Sequence, residues 1–350
     1  MNIFSIATNT PSTLPEGKAD FLLAASVTRT CEIHGITQAG IPGMIPLTPT
    51  LDAEFISTGK VYSMPDLAET PSGVPTPALL TRAVHLLTPF SKMAILNLGL
   101  VSEAKDCEVY DFDIKASDDI MRGANIDARD IFAKGRAFGE TYELQGDYLI
   151  LGESTPAGTT TALASAVSLG YDLSDAFSSS FYLTPDAIKE GVINQAFNNL
   201  NVDMGPFERL SQVGDNMLIF SAGFLLEACK RFDVVLAGGT QMAAVLLIAD
   251  VLAAEDEVEF EFDNIHLCTT AWVRNDESSD IAKILAELSY EVDALYSGFR
   301  FDSANIPVLH KYDEGEAKEG VGAGAAIAYA YMNGITNEQL VEEIEKLMMR

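Results

Sequence analysis

Five short apolar runs punctuate the chain, at residues 21–27, 93–98, 148–151, 234–236 and 265–268. Each is continuous rather than alternating, which is the pattern of a strand covered on both faces. Longer stretches with helical spacing lie between them. One opens at Thr76-Pro77 with a proline in its first turn. Another covers 127–142 and mixes Ile131, Phe132 and Phe138 with the small residues Ala128, Gly135 and Gly139. Helices are also predicted over 159–169, closed by Gly170, over 187–197, and over 217–229, the last apolar nearly all round and so central and buried. Near the end, Thr336-Asn337-Glu338-Gln339 reads as a capping box, with Leu340, Ile344 and Leu347 on one face of the helix it starts.

Strands alternating with helices predict an α/β fold, Rossmann-like, with a mostly parallel sheet flanked by helices and a smaller helical and irregular part. The expected layout is one α/β unit over residues 1–350. Its core lies at about 90–310, with the smaller part drawn from about 1–90 and from C-terminal helices in 311–350. Residues 36–77, rich in Pro, Gly and Thr, are expected to be irregular, with one strand at 53–56.

Composition changes this picture in one respect. Hydrophobic residues are 48% and charged residues 21%, but 22 basic residues against 51 acidic ones leave a net charge of −29. That balance argues against nucleic acid and against an anionic membrane surface as partners. The first residues lack the basic-then-apolar pattern of a signal peptide. The apolar stretch 234–249 is interrupted by Gly238, Gly239, Thr240 and Gln241, so it reads as a strand and a helix rather than a membrane span. A cytoplasmic location is expected. Cys31, Cys107, Cys229 and Cys268 are widely spaced, and so are His34, His85, His266 and His310. Neither set has metal-ligand spacing, and no metal or other cofactor is expected.

Three strand-to-helix turns carry the candidate chemistry. The first is Gly152-Glu153-Ser154-Thr155-Pro156-Ala157-Gly158-Thr159-Thr160-Thr161, the second Ala237-Gly238-Gly239-Thr240, and the third Lys318-Glu319-Gly320-Val321-Gly322-Ala323-Gly324. Free amides and the positive end of the helix dipole at such starts can hold an anion without a basic side chain. Gly158, Gly238, Gly239, Gly320 and Gly322 would admit a phosphate to the backbone, and Thr159, Thr160 and Thr240 would add hydroxyls. Alternatively, the glycines serve only tight crossings. None of the turns is a Walker loop or a dinucleotide fingerprint. Glu319 is either an ordinary first-turn helix acid, kept ionised by the dipole, or a general base for a weakly acidic N–H. Phosphoribosyl transfer from pyrophosphate donors calls for two adjacent acids after an apolar strand. The strand 234–236 has none there, which argues against that chemistry and its metal.

With these motifs the chain resembles the nicotinate-nucleotide–dimethylbenzimidazole phosphoribosyltransferase (CobT) family, in its archaeal and cyanobacterial branch. The resemblance rests on the three turns together with Gly73-Val74-Pro75-Thr76-Pro77-Ala78 and Val213-Gly214-Asp215-Asn216-Met217, in family order over about 70–330. It implies transfer of the 5-phosphoribosyl group of nicotinate mononucleotide to a benzimidazole-type base. The products would be nicotinate and α-ribazole 5′-phosphate, for the lower ligand of cobalamin. It also implies Glu319 as catalytic base, Glu153 as the second pocket acid, and a homodimer. Two alternatives stand beside it: a non-catalytic binder of a nucleotide or cobamide precursor, and a transferase using another base. One departure bears on the phosphate. The segment 171–180 lacks a lysine that relatives often place there, leaving backbone and hydroxyls to hold the anion.

Overall fold

The computed structural model describes residues 2–349. Eight strands form one sheet: β1 Ile3–Ser5, β2 Ala19–Ala25, β3 Met93–Asn97, β4 Val109–Asp111, β5 Tyr148–Ser154, β6 Val234–Ala237, β7 Ile265–Thr270 and β8 Asp293–Ser297. Their spatial order is β1-β8-β7-β6-β5-β2-β3-β4. All neighbours are parallel except β1, which runs antiparallel to β8. The α/β fold with a mostly parallel sheet is as the sequence pattern predicts.

The sheet is covered on both faces. Leu149 and Leu151 of β5 face one core, while Tyr148 and Ile150 face the other. The first core is closed by the helices Ala128–Thr141, Gly158–Ser168, Asn216–Ala228 and Thr240–Glu255. The second is closed by Thr48–Thr58, Ala78–Leu87, Ala323–Met332 and Asn337–Met348. The Asn216–Ala228 helix is buried along its whole length, and Thr336 makes the expected capping box with Gln339. No helix among the described residues is long and apolar enough to cross a membrane.

One expected strand is a helix. Residues 53–56 lie inside Thr48–Thr58, where Pro49 sits in the first turn and Gly59, at φ +77°, closes the end. The run Ala53-Glu54-Phe55-Ile56 is apolar enough for either state. The proline start and left-handed glycine stop settle it as helix. Residues 19–25, from the segment assigned to the smaller part, lie mid-sheet as β2.

The topology positions the site. From β2 the chain steps outward through β3 to β4, then returns to the other side of β2 as β5 and continues through β6, β7 and β8. The β2/β5 pair is therefore the topological switch point, and a ligand is expected at its carboxyl end.

At the opposite end, His266 stands between two aspartates, with Nε2 3.1 Å from Asp233 and Nδ1 3.2 Å from Asp293. Burial opposes the imidazolium, but the two carboxylates outweigh it and raise its pKa above the ordinary 6.5. The ion pairs thus stabilise the fold fully below about pH 6.5, and the contribution is lost as pH rises through the raised folded-state value. Because both aspartates are partly exposed, screening limits the effect to about 1 kcal/mol. Thermal melts of His266→Gln and wild type should converge as the buffer moves from pH 5.5 to pH 9. A gap that widens with pH would contradict this.

Candidate functional site

Two of the three turns are joined at the switch point. Glu153 is the penultimate residue of β5. The chain then turns through Ala157, in the left-handed region at φ +64°, into the helix that begins at Gly158. In the third turn Gly320, Val321 and Gly322 all have positive φ, at +142°, +55° and +69°. A β-branched residue in that region costs about 1–3 kcal/mol and persists only when its surroundings hold it. Here the Val321 amide donates to the Glu153 carbonyl at 2.7 Å, and the Thr81 hydroxyl donates to the Val321 carbonyl at 2.8 Å. The backbones carrying the two glutamates are thereby bonded to each other.

Both side chains are held by donors. Glu319 Oε1 accepts from the amides of Gly320 (3.2 Å) and Gly324 (3.1 Å), and Oε2 from Thr269 Oγ1 (3.2 Å). Glu153 Oε2 accepts from the Thr155 amide (3.1 Å), and Oε1 from Gln241 Nε2 (3.0 Å). Burial nevertheless pushes the Glu319 carboxyl up to about 7, the amides and Thr269 only partly reversing it. Burial, and after it the negative charge of Glu319, push Glu153 up to about 8. The expectation that the helix dipole keeps Glu319 ionised is therefore corrected. The helix starts at Ala323 rather than at the acid, and desolvation outweighs the amides that reach it.

The cleft around them encloses about 870 Å³, its open mouth included. Glu153, Gly158, Thr159, Gly239, Thr240, Glu319 and Gly320 line it. Thr160, Gly238 and Gly322 do not. Thr160 is fully buried, Gly238 lies close against Met242, and Gly322 fits between the Phe21 ring and Ala237. The Gly320 amide is engaged by Glu319, and the Thr240 hydroxyl accepts from the Ser178 amide at 3.2 Å. The buried Thr155 hydroxyl and the Gln241 carbonyl oxygen, both on the cleft wall, have no partner in the protein.

Several groups on this wall escaped the sequence reading. Asp52, 2% exposed, accepts from Thr76 Oγ1 and Ser154 Oγ, each at 2.7 Å. Burial raises it to about 6 despite those hydroxyls. Its only signal is an acid inside the apolar run Leu51-Asp52-Ala53. A cation is also present, although segment 171–180 lacks one. Lys318, 3% exposed, pairs with Asp276 at 2.9 Å and donates to the Phe181 carbonyl at 2.9 Å. Asp276 also accepts from Ser178 Oγ at 2.7 Å. Behind them Lys189 donates to the Ser178 carbonyl at 2.6 Å, and burial pushes its pKa down to about 7. The Lys318 ammonium is thus already engaged by Asp276 and the Phe181 carbonyl, and the Asp276 carboxylate holds the Ser178 hydroxyl.

No known family model matches the chain. Curated relatives do. Among them, an Archaeoglobus fulgidus protein named UPF0284 is 36% identical over 337 residues, covering 95% of this chain and 94% of its own. UPF0284 proteins of Sulfolobus acidocaldarius and Sulfurisphaera tokodaii are 36% and 34% identical over 334 and 342 residues, covering 95% and 96% of this chain and 94% and 95% of theirs. Among solved structures, a nicotinate-nucleotide–dimethylbenzimidazole phosphoribosyltransferase from Thermus thermophilus superposes with TM-score 0.58 at 17% identity, covering 95% of this chain and 84% of that one. A second, described as CobT from the same organism, has TM-score 0.56 at 19% identity, covering 95% and 85%. At these identities the likeness is one of fold.

Proposed function

The chain belongs to the UPF0284 family, and we propose that it transfers the 5-phosphoribosyl group of nicotinate mononucleotide to an aromatic nitrogen base. One observation carries this reading: two buried carboxyls converge on one cleft at the switch point, and one of them has a pKa pushed up to about 7. A base near the operating pH is suited to removing a proton from a ring N–H. The shared fold with a phosphoribosyltransferase adds weight.

In the reaction, a ring nitrogen of the acceptor attacks C1′ and forms the new C1′–N bond. The bond from C1′ to the pyridinium nitrogen breaks, and its electron pair neutralises that nitrogen, so nicotinate leaves without needing a proton. The acceptor's other N–H gives its proton to Glu319. Glu153 lies next to Glu319, and burial together with that neighbour's charge favours its protonated form. The positive pyridinium ring of the donor, placed beside Glu153, favours its ionised form, the proton leaving to solvent as the donor binds, and the carboxylate then steadies the positive charge that develops on the ribose. The 5′-phosphate would lie against Thr159 and the Ser178–Ser180 segment.

Purified protein given nicotinate mononucleotide and a panel of benzimidazoles should release nicotinate, read by chromatography with the matching ribosyl phosphate product. Binding of the donor with no turnover on any acceptor would reassign the cleft to a carrier or sensor. The pH profile is a further check. Glu319 must be deprotonated to act and Glu153 ionised to steady the ribose, so kcat/KM should rise with pH between about 7 and 8 and stay high above that. A rate that falls from pH 6 to pH 8 would contradict the assignment.

A further inference from the structure

We propose that Gln241 is a positioning residue for Glu153: its side-chain amide donates to the carboxylate and stabilises the ionised form, and Gly158 is a glycine because that amide fills the space a Cβ would need. The inference rests on the phosphoribosyl-transfer reading and names what tunes its second acid. Gln241 stands in the first turn of the helix Thr240–Glu255, which follows β6, and Ala237 at the end of β6 pairs with Gly152 of β5. The second turn is thereby set beside the first, and the bond from Gln241 Nε2 to Glu153 Oε1, at 3.0 Å, joins them.

Glu153 is 3% exposed, and the charged groups that act on it are the carboxyls of Glu319, Asp215 and Asp52. Against these it has two donors, the Thr155 amide and the Gln241 amide. A lysine in place of Gln241 would keep the acid ionised whether or not a cationic donor is bound. A neutral amide supports the charge without fixing it. The other half of the carboxamide argues that packing is not its purpose. Gln241 Oε1 is buried and has no partner in the protein, a cost that an apolar side chain of the same length would avoid. Turned over, the amide would set that oxygen against an ionised Glu153, so the nitrogen faces the acid. The oxygen lies over Gly158 instead. A Cβ there would overlap it and come 2.8 Å from the amide carbon. The Gln241 side chain is flexible, so an alanine at 158 would displace it rather than the backbone and part it from Glu153.

The test is an infrared titration of the full chain between pH 6 and pH 10, where exposed carboxyls are already ionised. The carbonyl band of a protonated carboxyl that Glu153→Gln removes belongs to Glu153. Its midpoint, near pH 8 in wild type, should rise by about one pH unit in Gln241→Met and in Gly158→Ala. A rise of about half a pH unit or more in both sustains the proposal, and a smaller rise or a fall in either overturns it. If one variant does not fold, the other decides. In turnover, kcat/KM of Gln241→Met should lie about tenfold below wild type at pH 7 but only about twofold below it at pH 9. An equal loss at both pH values, as from a merely structural role, overturns the proposal. If wild type releases no nicotinate, the transfer reading fails, and the carboxyl titration still decides this inference.

Discussion

Glu319→Gln should lower the rate of nicotinate release by about 10²- to 10⁴-fold, the usual contribution of a positioned general base. The amide has the shape of the acid and keeps its partners. Its oxygen can accept from the Gly320 and Gly324 amides, and its NH₂ can donate to Thr269 Oγ1. The fold should therefore survive, with a circular dichroism spectrum like that of wild type. The substitution also removes the charge that helps raise Glu153. Any residual rate should lose its rise near pH 7, which a purely structural role for Glu319 would not produce. Unchanged turnover in a folded variant would remove Glu319 from the mechanism.

The largest expected effect on stability lies far from the chemistry. The Ala128–Thr141 and Asn216–Ala228 helices cross with their backbones in contact. A Cβ at Gly135 would lie 2.2 Å from the Phe220 carbonyl oxygen and 2.9 Å from the Phe224 nitrogen. At Gly223 it would meet the Phe132 carbonyl oxygen at 2.2 Å. These obstacles are main chain and cannot rotate aside. Gly135→Ala gains about 1 kcal/mol of helix propensity but forces the helices apart. The expected net loss is about 3 kcal/mol, seen as a lower melting temperature. Gly191 provides the control. It is exposed within the Asp186–Ala196 helix, and a Cβ there meets nothing within 4 Å. Gly191→Ala should raise stability by about 0.5–1 kcal/mol. Equal effects at the two glycines would refute the packing account.

What was legible in the sequence follows from what each signal depends on. The five predicted strands are buried on both faces, so their apolar runs are continuous and local. β1 and β4 escaped because they are three residues long and lie at the two edges of the sheet, and β8 because its apolar run is interrupted by the exposed Asp293 at its start and Ser297 at its end. The exposed side chains of Val109 and Asp111 in β4 leave little apolar pattern to read. Glu153 and Glu319 were visible because each stands in a glycine-rich turn beside an apolar run, in motifs that resemble those of a known family. Their pKa values were not visible, because burial is set by elements distant in sequence. The same holds for Asp52, Lys318 and Asp276. Each is one charged residue among many in the chain, and only the fold brings the Thr48–Thr58 helix, the Ser178–Ser180 segment and the third turn to one wall.

β1 has a consequence in time rather than in space. Asn2 donates to the Gly298 carbonyl at 2.6 Å across 296 positions, and Ile3 pairs with Ser297. During synthesis at about 5–20 residues per second, this strand waits many seconds for the one that will bind it. Until it docks, β8 presents a bare edge that another chain could pair with. Assembly of this sheet is thus completed by the earliest-made strand, and a nascent chain released before its partner is made has no edge to receive it.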